Sequence, residues 1–417
     1  MKVLILSQYY PPEGLHIPAT VARGLADRGH DVRVVTGYPN YPEGRIYDGY
    51  SQKLRSHESD GGVEVMRVPL WIDHSQSAFK RILNYTTFAL SAATTRSFAR
   101  GADVIYVYAT QMTPSLGPWL WRMTGGAPYV LHVQDLWPDS ITGSSLVRKG
   151  FAAKVIESLL NPWLVSLYRR SAAVIGIAPT MVKTLVERGS ASDRTHLVYN
   201  WAVESAAEEP KGLLKGADPG RGTTRVIYGG NVGDMQDLVT AVEAVHAARD
   251  SGVHLTIVGD GVALPQVRAA AERLGATNIE FQGRVPREQM ADLYERSDYA
   301  LVTLRDLPVF RGTIPSKLQA SLAHALPVIT TVQGDVRTFV EDQELGFTAD
   351  AESVTSLESA LRQAARTGAD DQKGMARRAW GAYVSRFSRE SGVTAVEGIL
   401  QSVVASKDTE GMMDAGA

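Results

Sequence analysis

Lys317 follows Ile314-Pro315-Ser316 and opens a helical run. Proline then serine marks a helix start. The amino end of a helix carries partial positive charge, so a lysine in its first turn is electrostatically misplaced. A bound anion removes that conflict. Helix N–H groups near Ser316, with Pro315 setting the turn and Lys317 supplying charge, would hold a diphosphate. A solvated lysine is the alternative.

Four further loops follow β-rich runs. Tyr228-Gly229-Gly230-Asn231-Val232-Gly233 has glycines that let a ligand approach the backbone. It lacks the G-x-G-x-x-G spacing of dinucleotide sites, and a plain turn accounts for it as well as a ligand does. Val258-Gly259-Asp260-Gly261 repeats the strand-to-turn pattern, and Gly283-Arg284-Val285-Pro286 could offer backbone groups to a nucleobase edge. Near the start, Tyr9-Tyr10-Pro11-Pro12-Glu13-Gly14 is either a stiff turn or a loop in which Gly14 admits an anionic or sugar group.

These loops need strands beneath them. Apolar, β-branched runs are read at Val3–Leu6, Asp31–Thr36, Val63–Val68, Val104–Tyr108, Tyr129–Val133, Ala173–Ile177 and His196–Tyr199. Helical patterns at Pro18–Arg28 and Pro179–Glu187 lie between some of them. The alternation restarts with Thr224–Tyr228, His254–Val258, Ile279–Phe281, Tyr299–Val302 and Pro327–Thr331. The helices of this half are Leu238–Asp250, Leu264–Leu274 and Arg287–Arg296. Such alternation predicts an α/β chain with parallel, doubly wound sheets. Glu204–Thr223, rich in Glu, Lys, Gly and Pro, reads as a linker. Met375–Ser402 reads as one long helix, and the tail beyond Ser406 as frayed.

The formal net charge of −2 gives no positive field for general nucleic-acid binding. With 0 cysteines there is no thiol nucleophile or cysteine metal site, which fits a reducing cytoplasm. The histidines lack close metal-ligand spacing, and no D-x-D occurs. No apolar run is long enough to span a bilayer.

In this order, these segments resemble the GT-B family of retaining glycosyltransferases, glycosyltransferase family 4. Pro11-Pro12-Glu13-Gly14 is similar to the family's opening P-P-E-x-G loop. Leu25–Thr36, with Gly29-His30, resembles its first helix exit and second strand. Thr36–Pro42, Arg45–Tyr50, Gln134–Asp139 and Tyr199-Asn200-Trp201 narrow the likeness to the subgroup of WbuB, a fucosamine transferase, and the colanic-acid transferases. The likeness covers nearly the whole chain. It implies two Rossmann-like domains facing across a cleft, with a C-terminal helix crossing back. The boundaries would be an acceptor domain at 1–203, a linker at 204–223, a nucleotide-sugar domain at 224–374, a returning helix at 375–405 and a flexible tail at 406–417.

The resemblance further implies transfer of a sugar, an N-acetylamino sugar in this subgroup, from a UDP-sugar donor. The acceptor would be a glycan or polyprenyl-linked sugar in surface polysaccharide synthesis, and no metal or further cofactor is expected. Arg284 and Val285 match the base-contacting position. Gly230, Asn231 and Gln236 match the turn facing the diphosphate, supported by Gly259, Gly261, Pro315, Ser316 and Lys317. Many members carry Arg and Lys at Asn231 and Gln236, and glutamates of an E-x7-E motif at Gly312 and Ala320. Gln319 and Ser321 are the nearest polar side chains but point in other directions from a helix.

Many members have histidine at Gln134. Here His132 lies two residues earlier, on the same face of an extended segment; a hydrogen-bonded strand-end histidine is the bland alternative. Transfer must stabilise a departing nucleoside diphosphate and accept a proton from the acceptor hydroxyl. Lys317 suits the first task, and Asp135, Asp139, Glu13 and His132 are candidates for the second. Trp380, Tyr383, Phe387 and Val393 of the closing helix would pack on the first domain.

Phe79–Arg100 and Val147–Arg170 mix apolar and basic residues, the second with Lys149, Lys154 and Arg169 around Trp163, Leu164 and Leu167. Either is a solvated face or a contact with the inner face of the cell membrane. Two alternatives remain: a sugar-nucleotide epimerase of the same shape, and a catalytically degenerate nucleotide-sugar-binding subunit, which Gly312 and Ala320 favour.

Overall fold

Runs such as Val3–Leu6 and Val104–Val107 have no polar face, so these strands must be covered on both sides. The computed structural model describes residues 1–73, 78–139, 151–201 and 222–414. Residues 202–221, most of the expected linker, lie outside that description. The chain divides into two compact units. Unit 1 is Met1–Asn200 with the chain from Gly392 onward, and unit 2 is Trp201–Ser391.

In unit 1, strands β1 (Lys2–Ser7), β2 (Asp31–Gly37), β3 (Ser56–Asp60), β4 (Val63–Val68), β5 (Val104–Ala109), β6 (Tyr129–Val133), β7 (Ala173–Gly176) and β8 (Thr195–Leu197) form one sheet. Its order is β3-β4-β2-β1-β5-β6-β7-β8. Neighbours are parallel except β3, which pairs antiparallel with β4. The sequence Ser56-His57-Glu58-Ser59-Asp60 has no apolar alternation, which is why this edge strand escapes a pattern reading. Helices α1 (Ile17–Asp27), α2 (Ala78–Ala93), α3 (Leu116–Arg122), α4 (Phe151–Arg170) and α5 (Pro179–Glu187) connect the strands. On α1, Ile17, Val21, Ala22 and Leu25 are buried at helical spacing. Each such buried aliphatic side chain contributes about 1.5–3 kcal/mol. Gly29, at φ 84°, ends the helix, and the His30 amide returns to the Leu25 carbonyl at 3.1 Å.

Unit 2 has β9 (Thr224–Gly229), β10 (Val253–Val258), β11 (Ile279–Gly283), β12 (Tyr299–Val302), β13 (Val328–Thr330) and β14 (Gly346–Thr348), in the order β11-β10-β9-β12-β13-β14 and parallel throughout. The helices are α6 (Leu238–Ala247), α7 (Leu264–Leu274), α8 (Arg287–Glu295), α9 (Ser316–Ala323), α10 (Asp335–Asp342), α11 (Val354–Arg366) and α12 (Ala369–Ala382). Its core joins Val226, Tyr228, Leu255 and Ile257 of the sheet to Val242, Val245, Leu357 and Leu361 of the helices. Only the three-residue β14 is absent from the sequence reading of this unit's strands.

The expected single helix over Met375–Ser402 is corrected. A π-helical turn at Tyr383–Phe387 follows α12, the backbone extends at Ser388, and α13 runs from Arg389 to Asp414. Ser388 breaks the run because its hydroxyl caps the new helix, accepting the Ser391 N–H at 3.1 Å. Helix also continues past Ser406, where fraying was expected. Tyr383 and Phe387 lie in unit 2, where Phe387 meets Phe339 edge-on at 5.5 Å and Trp380 stacks on Tyr383 at 5.3 Å. Of the four residues expected to reach the first domain, Val393 is the one that belongs to unit 1. A Cβ on Gly24 of α1 would stand 2.8 Å from its Cγ1. Glu397 fastens the same helix, 2.6 Å from His30 Nε2 and 3.1 Å from Arg28 Nη1.

Candidate functional site

Open parallel sheets bind ligands beyond the carboxyl ends of the strands, where the order of connection reverses. That point falls between β1 and β5 in unit 1 and between β9 and β12 in unit 2.

In unit 2 the turn after β9 is interleaved with the turn after β10. Gly230 donates to the Val258 carbonyl and Val232 to that of Asp260, both at 2.9 Å. Gly259, at φ 138°, passes so close that a Cβ there would stand 1.8 Å from the Gly230 carbonyl oxygen. Gly261 would likewise strike the Val232 oxygen at 2.3 Å. Gly230, at φ 132°, leaves room for Lys317: a Cβ would come within 2.7 Å of Lys317 Cε. The Lys317 ammonium lies 5.1 Å from the centroid of the Tyr228 ring, a cation–π contact. Burial lowers its pKa. It makes no ion pair among the described residues.

Pro315 caps α9, whose first two residues are Ser316 and Lys317, and neither of their amides has an acceptor among the described residues. Asn231 and Gln236 come together, with Asn231 Nδ2 3.4 Å from Gln236 Oε1; Gly233 also donates to that oxygen at 3.0 Å. Across the switch point the Thr303 hydroxyl donates to the Gln236 carbonyl at 2.6 Å. Arg284 extends into solvent and sits 3.5 Å from Asp260, with Val285 half-buried beside it. Gln319 is buried, and the Ser321 hydroxyl is spent on the Lys317 carbonyl at 2.7 Å.

In unit 1 the switch point is bridged by amides. Gln111 Nε2, beyond β5, donates to Gln8 Oε1, beyond β1, and Gln8 Nε2 donates to Asn84 Oδ1 at 2.6 Å. His132 on β6 is fully buried, its Nδ1 paired with the Tyr106 hydroxyl and its ring edge-on to Tyr108 at 5.7 Å. Burial drives its pKa down to about 3, so the imidazole is neutral at pH 7 and a weak base. Its Nε2 and the nearby Gln134 Nε2 and Asn200 Oδ1 are buried without hydrogen-bond partners among the described residues. The other Asn200 amide atom donates to Gln134 Oε1 at 2.7 Å.

The remaining carboxylates separate by environment. Glu13 is buried, and its oxygens accept the amides of Asn40 and Tyr41 at 2.8 Å and of Tyr10 at 3.2 Å. Desolvation nevertheless raises its pKa. It fastens the loop after β2 to the Pro11-Pro12 turn. Arg67, buried and unnoticed in the sequence, completes that joint by donating to the Gly37 and Pro11 carbonyls at 2.9 and 2.5 Å and pairing with Glu58. Gly14 is exposed with open space around it. Asp139 pairs with Arg188 at 2.5 Å. Asp135 reaches solvent and has no polar partner among the described residues, while the protein around it raises its carboxyl above the usual range by desolvation.

Two α/β units, each a sheet of mainly parallel strands, make up a GT-B architecture. Residues 18–201 match the glycosyl transferase 4-like domain, and residues 223–367 match the glycosyl transferases group 1 domain. The chain belongs to the family-4 GT-B glycosyltransferases. It is 27% identical to the putative colanic acid biosynthesis glycosyl transferase WcaI of Escherichia coli K12 over 386 residues, 87% of this chain and 92% of WcaI. Among solved structures it is similar to Anabaena HepE in complex with UDP (TM-score 0.62, 15% identity, covering 96% of this chain and 100% of that one). It is also similar to WaaG, a glycosyltransferase involved in lipopolysaccharide biosynthesis (TM-score 0.58, 16% identity, 96% and 99% covered).

Proposed function

We propose that this chain is a retaining, metal-independent glycosyltransferase of surface polysaccharide synthesis. It takes a sugar, by preference an N-acetylamino sugar, from a UDP-sugar to a glycan or polyprenyl-linked acceptor. The observation that carries this reading is the Lys317 ammonium, held over the Gly230 turn beside the Ser316 and Lys317 amides that open α9. That arrangement suits a departing diphosphate. The UDP in the HepE complex and the colanic acid role in the name WcaI support the donor and the pathway class.

Attack and departure take place on one face of the sugar, with the leaving phosphate assisting removal of the acceptor proton. Asp135 is the carboxylate left unengaged to orient that hydroxyl, because Glu13 and Asp139 are spent and His132 is too weak a base. His132 instead offers Nε2 as a neutral hydrogen-bonding group. Contact with the inner face of the membrane is assigned to α2, which exposes Arg81, Ile82 and Leu90. On α4, Leu164 and Leu167 are buried, and Arg148, Lys149 and the Lys154 side chain lie outside the description.

The test is thermal stabilisation by UDP, GDP, ADP and dTDP and their sugar conjugates. A rise in Tm with UDP, larger with one conjugate and lost in Lys317→Ala, is expected. No rise with any at millimolar concentration would overturn the reading. A second reading, a nucleotide-sugar-binding subunit without turnover, is favoured by Gly312, Ala320 and the neutral pair Asn231 and Gln236. Binding of the donor without sugar release to any acceptor or to water would establish it.

A further inference from the structure

The opposite end of the unit 1 sheet carries a cavity of about 310 Å³ that the proposed reaction does not use. It lies at the amino ends of β6, β7 and β8, where Pro128 and Ser171-Ala172-Ala173 enter the sheet, and α13 forms its outer wall through Ile399, Val403 and Lys407. Four cations face it, Arg122, Arg170, Arg194 and Lys407, together with His196 and a single carboxylate, Asp193.

Those charges are not balanced within the protein. Arg122 and Arg194 each spend one N–H on a main-chain carbonyl, of Gly126 at 3.3 Å and of Ser171 at 3.2 Å. Arg170 and Lys407 have no hydrogen bond or ion pair among the described residues, and Asp193 pairs with none of the four. A guanidinium has five donors in a planar fork that matches phosphate oxygens. Three such forks and an ammonium around one small volume repel each other until an anion enters. The volume lies at the lower end of the roughly 300–1,000 Å³ of small-molecule sites. It suits a diphosphate or a phosphorylated sugar.

The place excludes a part in transfer itself. Tyr129 to Val133 of β6 separates the cavity from the carboxyl edge, about 13 Å at 3.3 Å per residue. What the cavity does touch is α13, beyond the Glu397 anchor. We propose that it is a second anion site, taking a phosphate-bearing ligand with two or more negative charges, and that occupancy clamps residues 399–407 of α13 onto unit 1.

The experiment is titration calorimetry of the full chain with inorganic diphosphate at low ionic strength, in a Lys317→Ala background that silences the proposed donor site. A binding event should persist there. It should weaken at least tenfold with Arg170→Gln plus Arg194→Gln, and also with Val403→Trp, which fills the cavity while keeping every charge. Hydrogen exchange over residues 399–407 should slow on adding diphosphate. A parallel arm uses phosphatidylglycerol vesicles. Vesicle binding lost in the same variants, without binding of free diphosphate, would identify a lipid headgroup as the source of the phosphate. An isotherm unchanged by both sets of variants, or no binding of either probe in the Lys317→Ala chain, overturns the proposal. Unaltered thermal melting of the variants separates loss of the site from loss of the fold.

Discussion

Glu13 Oε1 accepts the main-chain N–H of Asn40 at 2.8 Å, joining the loops after β1 and β2 through a carboxylate that is itself buried. Hydrogen bonds to a charged acceptor contribute about 1.5–3 kcal/mol, and each donor left unsatisfied costs about 1–3 kcal/mol. Glu13→Ala should therefore destabilise unit 1 by at least about 3 kcal/mol, and Glu13→Gln by less, since one acceptor oxygen remains. Calorimetric melting checks this. A Glu13→Gln protein with wild-type stability but no transfer would instead make Glu13 a catalytic group.

His132 links stability to pH. Its folded pKa of about 3 lies below the ordinary 6.5, so between those values the unfolded chain binds the extra proton. Stability from this group is complete above pH 6.5 and is lost as pH falls toward 3. The full effect is on the order of a few kcal/mol. His132→Gln should flatten the acid limb of the stability curve, measured by denaturant unfolding from pH 7 to 4. An unchanged slope would show that other groups dominate it.

Lys317 and Gly230 should behave as one unit. Lys317→Ala is expected to lower turnover by about 10²–10³, the range for losing one preorganised charge-stabilising group. Gly230→Ala forces a Cβ to 2.7 Å from Lys317 Cε at a backbone angle that side chains rarely adopt, and so displaces the ammonium. The double variant should then lose little more than Lys317→Ala alone, a coupling that a double-mutant cycle reads directly. Strict additivity would separate the glycine from the lysine.

Glu397 should matter to unit 1 although it is far along the chain. Removing its carboxylate takes from half-buried His30 and Arg28 the negative charge that faces them, although Arg28 keeps the Thr394 hydroxyl and His30 the chain's amino terminus. Glu397→Ala should cost about 1–2 kcal/mol and raise hydrogen exchange along α13. Nucleotide stabilisation of unit 2 should be unaffected.

The parallel architecture was legible because its strands are long apolar runs: the spans read for Tyr129–Val133 and Tyr299–Val302 coincide with β6 and β12. The glycine turns and the helix start at Pro315 were legible for a similar reason, since backbone geometry dictates residue type there. What escaped depends on partners distant in sequence. Ser56–Asp60 is a strand only because β4 offers it an edge. The Tyr228 ring beside Lys317 and the Arg67 joint under Glu13 were not visible, because a tyrosine or arginine in a strand carries no local sign of what it will meet. Ser388 was read as helix interior, and its capping hydroxyl acts only once the preceding turn has unwound.

The pairing of His30 with Glu397 spans 367 residues. All of unit 2 is encoded between the two parts of unit 1. At about 5–20 residues per second, synthesis of unit 2 leaves the first part without its closing helix for roughly 10–40 s. Unit 2 emerges whole during that interval and can fold first, while the groove on α1 that receives Val393 stays uncovered. The unit begun first on the ribosome is thus the last whose residues are all available, and a truncation near the C-terminus removes part of that unit.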